Sequence, residues 1–323
     1  MSQILSVRNL KTYYQTQRGF VKAVDDVSFE VEKGQALGFA GESGCGKTTI
    51  ALSILRILPP NAKIISGNIF FKGMDIVTLD EATLREKIRW KGISLVFQGA
   101  MNALNPVYKV SDQIVEAIQL HEPNVEKREA YERVAKLFEL VGLDPSRVDH
   151  YPHEFSGGMR QRAMIAMALA CNPDILIADE PSTALDVIVQ AQVLQLLRNL
   201  KKKLNLSLIV ISHDLSIIAE TCEKVAIMYG GKLVEYGDIV AIFKNPLHPY
   251  TQGLLSAFPE IRAPRTKLIS IPGSPPDLLN PPAGCKFVER CKYAMPVCKE
   301  VDPTPINIEK EHNVACHLYA KSR

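Results

Sequence analysis

The stretch that decides the fold is Ala-Leu-Gly-Phe-Ala-Gly-Glu-Ser-Gly-Cys-Gly-Lys-Thr, residues 36–48. Its first five residues are small or apolar, as in a short buried strand, and they run into a glycine-rich loop that matches G-x-x-x-x-G-K-[ST]. The segment at 48–58 predicts a helix after the loop, closed by Pro59-Pro60. A strand, a glycine-rich loop and a helix in this order predict an α/β fold that binds a nucleoside triphosphate.

Each position of the loop has a physical role in holding phosphate. Glycines let backbone N–H groups turn inward around an anion, and the following helix points its positive dipole end at the same place. Lys47 adds a full charge near the β- and γ-phosphates, and Thr48 offers a hydroxyl to Mg²⁺. The predicted contacts to ATP in this segment are Gly41, Ser43, Gly44, Cys45, Gly46, Lys47, Thr48 and Thr49.

A second motif of the same reaction lies downstream. The apolar run at 175–178 predicts a buried strand, and it ends in Asp179 and Glu180. Asp179 is placed to hold Mg²⁺ through its water shell, and Glu180 to orient or deprotonate the attacking water. Acidic residues at strand ends also cap helices, which is the alternative interpretation. Two motifs of one mechanism in the right order favour ATP hydrolysis.

The remaining segments fit the same α/β plan, with alternating residues for half-buried strands and short apolar runs for buried ones. The other predicted strands span 7–14, 24–31, 93–97 and 208–211. The other predicted helices span 110–120, 127–141, 157–170, 187–204 and 250–257. A hairpin is expected at Gly230-Gly231. From Pro259 onward the chain becomes rich in proline, so we predict a nucleotide-binding domain at 1–258 and an appended module at 259–323.

A second anion-binding element precedes the helix predicted at 157–170. Ser156 is a good N-cap, and Gly157-Gly158 allow close backbone approach. Because the chain already has one phosphate loop, the second element suggests a nucleotide bound by another subunit. Here the sequence resembles the ABC-transporter ATPases, whose signature is Leu-Ser-Gly-Gly-Gln. Phe155 and Met159 replace the outer residues, and the Ser-Gly-Gly core is intact.

The resemblance implies roles for further residues. Gln98 matches the glutamine that contacts Mg²⁺ or water and senses the membrane subunits, and Asp186 matches a loop that links the two sites of a dimer. His213 matches the histidine that contacts the γ-phosphate, which makes it catalytic together with Glu180. Tyr14 lies where the family places an aromatic ring that stacks on adenine, with adjacent Tyr13 as the alternative.

The resemblance covers about residues 4–258 and implies a P-loop ATPase fold of ABC type. That fold has a RecA-like core sheet, an antiparallel β subdomain and a helical subdomain that carries the signature. Two such domains close face to face, and each ATP lies between the phosphate loop of one and the signature of the other. Closure drives two transmembrane permease subunits.

The C-terminal part resembles the ATPase subunits of dipeptide and oligopeptide importers. The resemblance is carried by His-Pro-Tyr-Thr-Gln-Gly-Leu-Leu at 248–255 and by the Pro-rich, Cys-bearing segments that follow, to about Cys316. It implies ATP-driven import of peptides, a sister ATPase chain in a heterodimer, and a solute-binding protein as an indirect partner. Nickel and oligosaccharide importers belong to the same branch, so the solute stays open.

Four cysteines fall in this C-terminal module. In a reducing cytosol such a group favours a metal site over disulfides. None of them forms the tight C-x₂₋₄-C pair that is typical of structural zinc. The resemblance implies a [4Fe–4S] cluster, with Zn²⁺ or unligated structural thiols as alternatives. The predicted ligands are Cys285, Cys291, Cys298 and Cys316. His312 and His317, beside Cys316, are predicted to be ordinary surface residues.

Composition and missing motifs argue against several other classes, although a non-transport ABC ATPase stays open as an alternative. A net charge of +3 is too small to indicate a nucleic-acid partner. There is no apolar run long enough for a membrane span and no signal peptide, so we expect a peripheral protein on the cytoplasmic side of the membrane. A non-transport ABC ATPase usually has a coiled-coil insertion or a second cassette, and this sequence shows neither. A switch GTPase has an Asn-Lys-x-Asp motif, which this sequence lacks. A purely regulatory metal-binding protein leaves the hydrolytic motifs unexplained.

Overall fold

The computed structural model describes residues 2–99, 103–183, 185–256, 271–309 and 311–320. Its strands are β1 (Gln3–Thr16), β2 (Gly19–Glu32), β3 (Ala36–Ala40), β4 (Ala62–Phe71), β5 (Met74–Asp75), β6 (Ile93–Val96), β7 (Ile175–Asp179), β8 (Ser207–Ile211), β9 (Lys224–Tyr229), β10 (Lys232–Asp238), β11 (Ile306–Glu309) and β12 (His312–Val314). Its α-helices are α1 (Lys47–Leu55), α2 (Glu81–Thr83), α3 (Val110–His121), α4 (Lys127–Leu140), α5 (Gly157–Ala168), α6 (Val187–Leu204), α7 (Leu215–Thr221), α8 (Ile239–Lys244), α9 (Pro249–Ser256) and α10 (Val297–Glu300).

The chain divides into two compact units. Unit 1 comprises Met1–Leu5, Val31–Ala36 and Phe71–Ile211. Unit 2 comprises Ser6–Glu30, Leu37–Phe70 and Ser212–Arg323. The predicted domain boundary between residues 258 and 259 lies outside the described residues.

Unit 1 is built around three parallel strands, in which β7 pairs with β6 on one side and β8 on the other. Every residue of β7 and β8 is buried, which explains why both read as continuous apolar runs rather than alternating ones. Parallel strands end at the same edge of a sheet. Asp179, the last residue of β7, and Gln98, just after β6, therefore lie at one edge of unit 1.

Helices α3, α4 and α5 of unit 1 pack on one another as a helical group. Phe155, directly before α5, is buried and meets Phe138 of α4 edge-on, with ring centroids 6.3 Å apart. Such a pair is a favourable aromatic geometry. The phenylalanine that departs from the family's usual leucine therefore fills a core position and carries the loop that holds Ser156.

Unit 2 contains the rest of the parallel strand pattern and an antiparallel extension. Strand β3 pairs in parallel with β9, and β9 turns through Gly230-Gly231 into antiparallel β10, which confirms the predicted hairpin. Strand β10 in turn pairs with β12, and β12 with β11, so the C-terminal residues add strands to this sheet. Strands β2, β1 and β4 lie side by side in a separate sheet.

The predicted elements are present, and several differ in length. Strand β3 and helix α6 have the predicted bounds, whereas β1 and β2 are longer than the predicted 7–14 and 24–31. Strands β4, β5, β11 and β12 were not predicted. The burial of β4 shows no clean alternation, and the other three strands are too short to give a periodic pattern. Residue 257 of the helix predicted at 250–257 lies outside the described residues. Among the described helices, none is both long and apolar enough to cross a bilayer.

The prediction that His312 is an ordinary surface residue is wrong. Its side chain is 1% exposed, and its Nε2 lies 2.7 Å from Oε1 of the equally buried Glu235. The Glu235 carboxylate also accepts the backbone N–H groups of Leu247 and His248, at 2.8 and 2.9 Å. A buried carboxylate needs such partners, and here they connect strands β10 and β12 to the segment that begins α9. His317 stays partly exposed, with Nε2 2.8 Å from the Val301 carbonyl.

We predict that Glu235→Ala lowers the free energy of unfolding by about 3 kcal/mol or more, because it removes one partner of a buried pair and leaves two buried N–H groups unsatisfied. Urea unfolding measures the change. The matched control is Glu300→Ala, which removes an exposed carboxylate of the same C-terminal region. A loss no larger than that of the control would contradict this role.

Candidate nucleotide site

The phosphate loop depends on glycine at specific backbone positions. Gly41, Gly44 and Gly46 have φ values of 147°, 80° and 105°, which side-chain-bearing residues rarely adopt. A Cβ at Gly46 would lie 2.0 Å from the Ala23 carbonyl oxygen, and one at Gly41 would lie 2.2 Å from that of Met228. The loop therefore passes so close to neighbouring backbone that only glycine fits.

Lys47 lies inside this loop at the start of α1. Its side chain is buried, and Nζ donates to the carbonyl oxygens of Gly41 and Glu42 at 2.7 and 3.0 Å. The N-cap of α1 is Gly46, which has no side chain to accept the first N–H groups of the helix, so these groups are available to phosphate. Ser43 and Thr48 are exposed beside it, and Cys45 is buried. Burial raises the pKa of the Cys45 thiol, and the Lys47 ammonium partly opposes that rise.

The two tyrosines considered for adenine stacking have different partners in unit 2. The hydroxyl of Tyr14 lies 3.2 Å from Oγ1 of Thr49, which is on α1. The hydroxyl of Tyr13 donates instead to Asp25 at 2.7 Å, and burial together with this carboxylate raises the pKa of Tyr13. Tyr14 is thus the tyrosine joined to the helix that follows the phosphate loop.

His213 follows the end of β8 and is exposed. The N–H of its neighbour Ser212 donates to the carbonyl of Phe39 in β3 at 3.1 Å. Phe39 is in β3, and the phosphate loop begins two residues after it, at Gly41. The bond from Ser212 therefore places His213 beside the strand that leads into the phosphate loop. The Asp214 side chain accepts the N–H of Ser216 and is the N-cap of α7.

The acidic pair of unit 1 occupies two different environments. Asp179 is 2% exposed at the end of β7. Glu180 adopts a left-handed backbone with φ of 48°, held by its N–H bond to the Ile211 carbonyl at 2.9 Å. A glutamate at positive φ is a sparsely populated conformation, and such conformations concentrate at functional sites. Its carboxylate accepts from the Thr183 hydroxyl at 3.4 Å. Gln98 is exposed at the same edge, just beyond β6.

The signature segment has the local structure that the sequence predicts. Oγ of Ser156 caps α5 by accepting the Met159 N–H at 3.3 Å, and Gly157 and Gly158 form the first turn. A Cβ at Gly158 would lie 2.4 Å from Cγ1 of Val189 on α6, so this glycine is needed for helix packing in unit 1. The exposed Ser156 and the partly exposed Gly157 lie at the N-terminal end of a helix, the end that attracts anions.

Asp186 caps the neighbouring helix. Its carboxylate accepts the N–H groups of Ile188 and Val189 at 3.1 and 2.9 Å at the start of α6. This is a helix N-cap, a structural role that any Asp at this position could fill. The loop before it includes Ala184, which lies outside the described residues. Asp186 and Ser156 thus cap two helices that pack together through Gly158.

The four C-terminal cysteines are close enough to influence one another electrostatically. Burial raises the pKa of Cys285 to about 12, with smaller contributions from the other three thiols. No disulfide joins any of them. Within the described part of the chain, no group of three or more His, Cys, Asp or Glu side chains is arranged to hold a metal ion. The arrangement of these thiols therefore gives no support to the predicted [4Fe–4S] or Zn²⁺ site.

Two residues that contact the phosphate loop were missed by sequence reasoning. The buried Tyr250 hydroxyl accepts the N–H of Glu42 at 2.9 Å, and Arg290 binds the Glu42 carboxylate. His248 supports Tyr250, because its Nδ1 accepts the Tyr250 N–H at 3.0 Å, and burial lowers the pKa of His248 to about 3. Tyr250 and Arg290 both lie in the C-terminal part of the sequence, and only the fold brings them to the phosphate loop.

The fold and the phosphate loop define a nucleotide-binding ATPase. The family model described as ABC transporter matches residues 24–183, and the model described as the C-terminal region of oligopeptide/dipeptide transporters matches 234–298. The chain belongs to the family of ABC-transporter ATP-binding proteins, which are ATPases.

Individual relatives match this chain over all or nearly all of its length. The chain is 45% identical to the dipeptide transport ATP-binding protein DppD of Caldanaerobacter subterraneus subsp. tengcongensis, over 100% of this chain and 99% of that protein. It is 45% identical to the oligopeptide transport ATP-binding protein OppD of Escherichia coli, over 93% and 89%. A dimeric post-hydrolysis state of the ATP-binding cassette MJ0796, bound to ADP and phosphate, aligns with a TM-score of 0.65 and 26% identity over 73% of this chain and 99% of that one. The predicted ABC-type P-loop fold is confirmed.

We predict that Gly46→Ala destabilises the protein by about 3 kcal/mol, since a left-handed φ and an overlap with a carbonyl both carry a cost. Gly44→Ala is the matched control: its φ is also positive, but no atom lies within 4 Å of the added Cβ. It should cost about 1 kcal/mol. Urea unfolding without nucleotide compares the two variants. Equal losses would show that the close approach at Ala23 does not constrain the loop.

Proposed function

We propose that this chain is the ATP-hydrolysing subunit of an importer of dipeptides or oligopeptides. The observation that carries the proposal is the combination, in one chain, of a complete set of ABC ATPase motifs with the C-terminal region typical of oligopeptide/dipeptide transporters. Relatives that match nearly the whole chain are named for dipeptide or oligopeptide transport. The fold supplies the ATPase, and the C-terminal region supports the choice of peptide as solute.

ATP binds first through the phosphate loop. The backbone N–H groups of residues 41 and 43–49, at the N-terminal end of α1, hold its phosphates, and Lys47 neutralises their charge. Tyr14 stacks on the adenine. Thr48, Asp179 and Gln98 are the residues that would hold Mg²⁺, directly or through water, and the ion would neutralise phosphate charge. The geometry that supports these roles is the buried Lys47 ammonium and the Tyr14 contact to α1.

Hydrolysis depends on Glu180 and His213. Glu180 accepts a proton from the attacking water or orients it, and His213 donates to the γ-phosphate as charge develops there. The left-handed backbone of Glu180 supports this role, because sparsely populated backbone conformations concentrate at functional sites. His213 is supported by its position one residue after the bond between Ser212 and Phe39.

A second ATPase subunit completes the binding site of each ATP. Ser156, Gly157 and Gly158 of one subunit contact the nucleotide on the phosphate loop of the other, and Asp186 links the two sites. A dimeric solved relative supports this assembly. We infer a sister chain as the second subunit, two transmembrane permease subunits, and a location on the cytoplasmic side of the membrane. A solute-binding protein acts on the complex indirectly.

We predict that Glu180→Gln retains ATP binding and loses hydrolysis by about 10²-fold or more, because the amide cannot take a proton. ATP turnover and peptide uptake are measured in vesicles that contain the permease subunits and a peptide-loaded binding protein. Lys47→Ala is the comparison variant, since it should lose ATP binding itself.

Two results would contradict the proposal. Near-normal turnover in Glu180→Gln would remove Glu180 from the mechanism. Turnover that responds to a nickel- or oligosaccharide-loaded binding protein, and not to peptide, would leave the ATPase in place and change the solute.

We also propose that Cys285, Cys291, Cys298 and Cys316 hold a [4Fe–4S] cluster that acts as a structural staple of the C-terminal module. The proposal is supported by donor chemistry, since four thiols are a suitable donor set for an iron–sulfur cluster. When bound, such a cluster would cross-link a segment that has few core residues through these four side chains.

Purified without oxygen, the protein should be brown and contain iron and acid-labile sulfide in equal amounts. Cys298→Ser should lose both, whereas Cys171→Ser, a buried cysteine outside the module, should keep them. Elemental analysis and the visible absorption spectrum measure this. A colourless protein with stoichiometric zinc would favour the zinc alternative, and neither metal would leave structural thiols.

A further inference from the structure

An arginine of the C-terminal module binds directly to the phosphate loop. Nη1 of Arg290 donates to Oε2 of Glu42 at 2.7 Å, and Nη2 donates to Oε1 at 2.9 Å. The Arg290 side chain is only 5% exposed. Two parallel bonds between a guanidinium and a carboxylate form the most directional type of ion pair. Residues that are 248 positions apart in the sequence are thereby joined inside unit 2.

Arg290 is held in place from the C-terminal side. Its Nε donates to the Pro272 carbonyl at 2.8 Å, and Nη2 donates to that of Ile271 at 3.3 Å. Nη1 also donates to the Tyr229 hydroxyl at 3.2 Å, and the guanidinium lies 5.6 Å from the centroid of the same ring. An arginine with this many contacts loses little further freedom when it binds a carboxylate.

Glu42 occupies a position of the loop that the motif leaves open, and its carboxylate has a disadvantage there. A negative charge in a loop that binds phosphate repels the ligand. The same residue is connected to the machinery of the loop, since its carbonyl accepts from Lys47 Nζ at 3.0 Å and its N–H donates to Tyr250. Neutralising and fixing Glu42 therefore affects both the charge and the geometry of the phosphate site.

We propose that Arg290 is a positioning residue for ATP, which neutralises Glu42 and fixes the phosphate loop so that the C-terminal module sets nucleotide affinity. The inference rests on the proposed function only in that the loop binds ATP. It assigns to the C-terminal module a role in the ATP site itself, in addition to any role in holding metal.

The test is a titration of the full chain with a fluorescent ATP analogue and Mg²⁺. Arg290→Gln should weaken binding about tenfold, because the Glu42 carboxylate is left unpaired beside the phosphates. Glu42→Gln should strengthen binding about threefold, since it leaves the Arg290 charge uncompensated near the same anion. The double variant should recover to within about threefold of the wild type.

A purely structural role predicts a different pattern. If the pair only stabilised the fold, Glu42→Gln would weaken binding as Arg290→Gln does, and the double variant would not recover. Lys299→Gln is the matched control, because it removes an exposed positive charge from the same module. Circular dichroism and thermal unfolding check each variant. Should Arg290→Gln fail to fold, Arg290→Lys and Glu42→Gln decide the matter, with weaker binding expected for the first and tighter binding for the second.

The outcomes separate the two proposals. A wild-type chain that binds no ATP analogue would overturn the proposed function and this inference together. A wild type that binds, with Arg290→Gln binding equally well, would overturn only the inference. Tighter binding by Arg290→Gln, or weaker binding by Glu42→Gln, would also overturn it.

Discussion

The close passage of the phosphate loop past two backbone carbonyls is the constraint on which the site depends. Gly46 comes so near the Ala23 carbonyl, and Gly41 so near that of Met228, that a single added carbon would overlap with oxygen. The loop can therefore turn its own N–H groups inward and start helix α1 directly behind them. The Lys47 side chain folds back over this turn, because Nζ donates to the carbonyl oxygens of Gly41 and Glu42 within the loop.

Several residues with a proposed role in the site also have a structural role. Ser156 and Asp186 cap helices α5 and α6, and the close packing of Gly158 against Val189 brings those two helix ends together. The N-terminal end of a helix favours negative charge; the Asp186 carboxylate supplies that charge at α6, whereas Ser156 caps α5 with a neutral hydroxyl. The structural interpretation of these two caps is therefore correct, and the proposed contact with a nucleotide on another subunit uses the same helix ends.

The C-terminal residues are more closely joined to unit 2 than a loop-rich appendage would be. Strands β11 and β12 extend the sheet through β10, and the Glu235 carboxylate joins that strand to the beginning of α9. Arg290 makes the connection to the phosphate loop. These contacts depend on buried charges with fixed partners, which are costly unless every partner is present. A segment with few core residues is thereby held in one geometry.

The sequence by itself determined the phosphate loop, the buried strands β3, β7 and β8, helix α6 and the motif residues, because local pattern and spacing specify them. It did not reveal β4, whose mixed burial gives no periodic signal, the short strands β11 and β12, or the burial of His312. Only the tertiary structure decided that Tyr14 rather than Tyr13 meets α1, and that Arg290 meets Glu42. The physical reason is that hydrogen bonds and ion pairs between distant residues depend on where the chain returns, which no local pattern encodes.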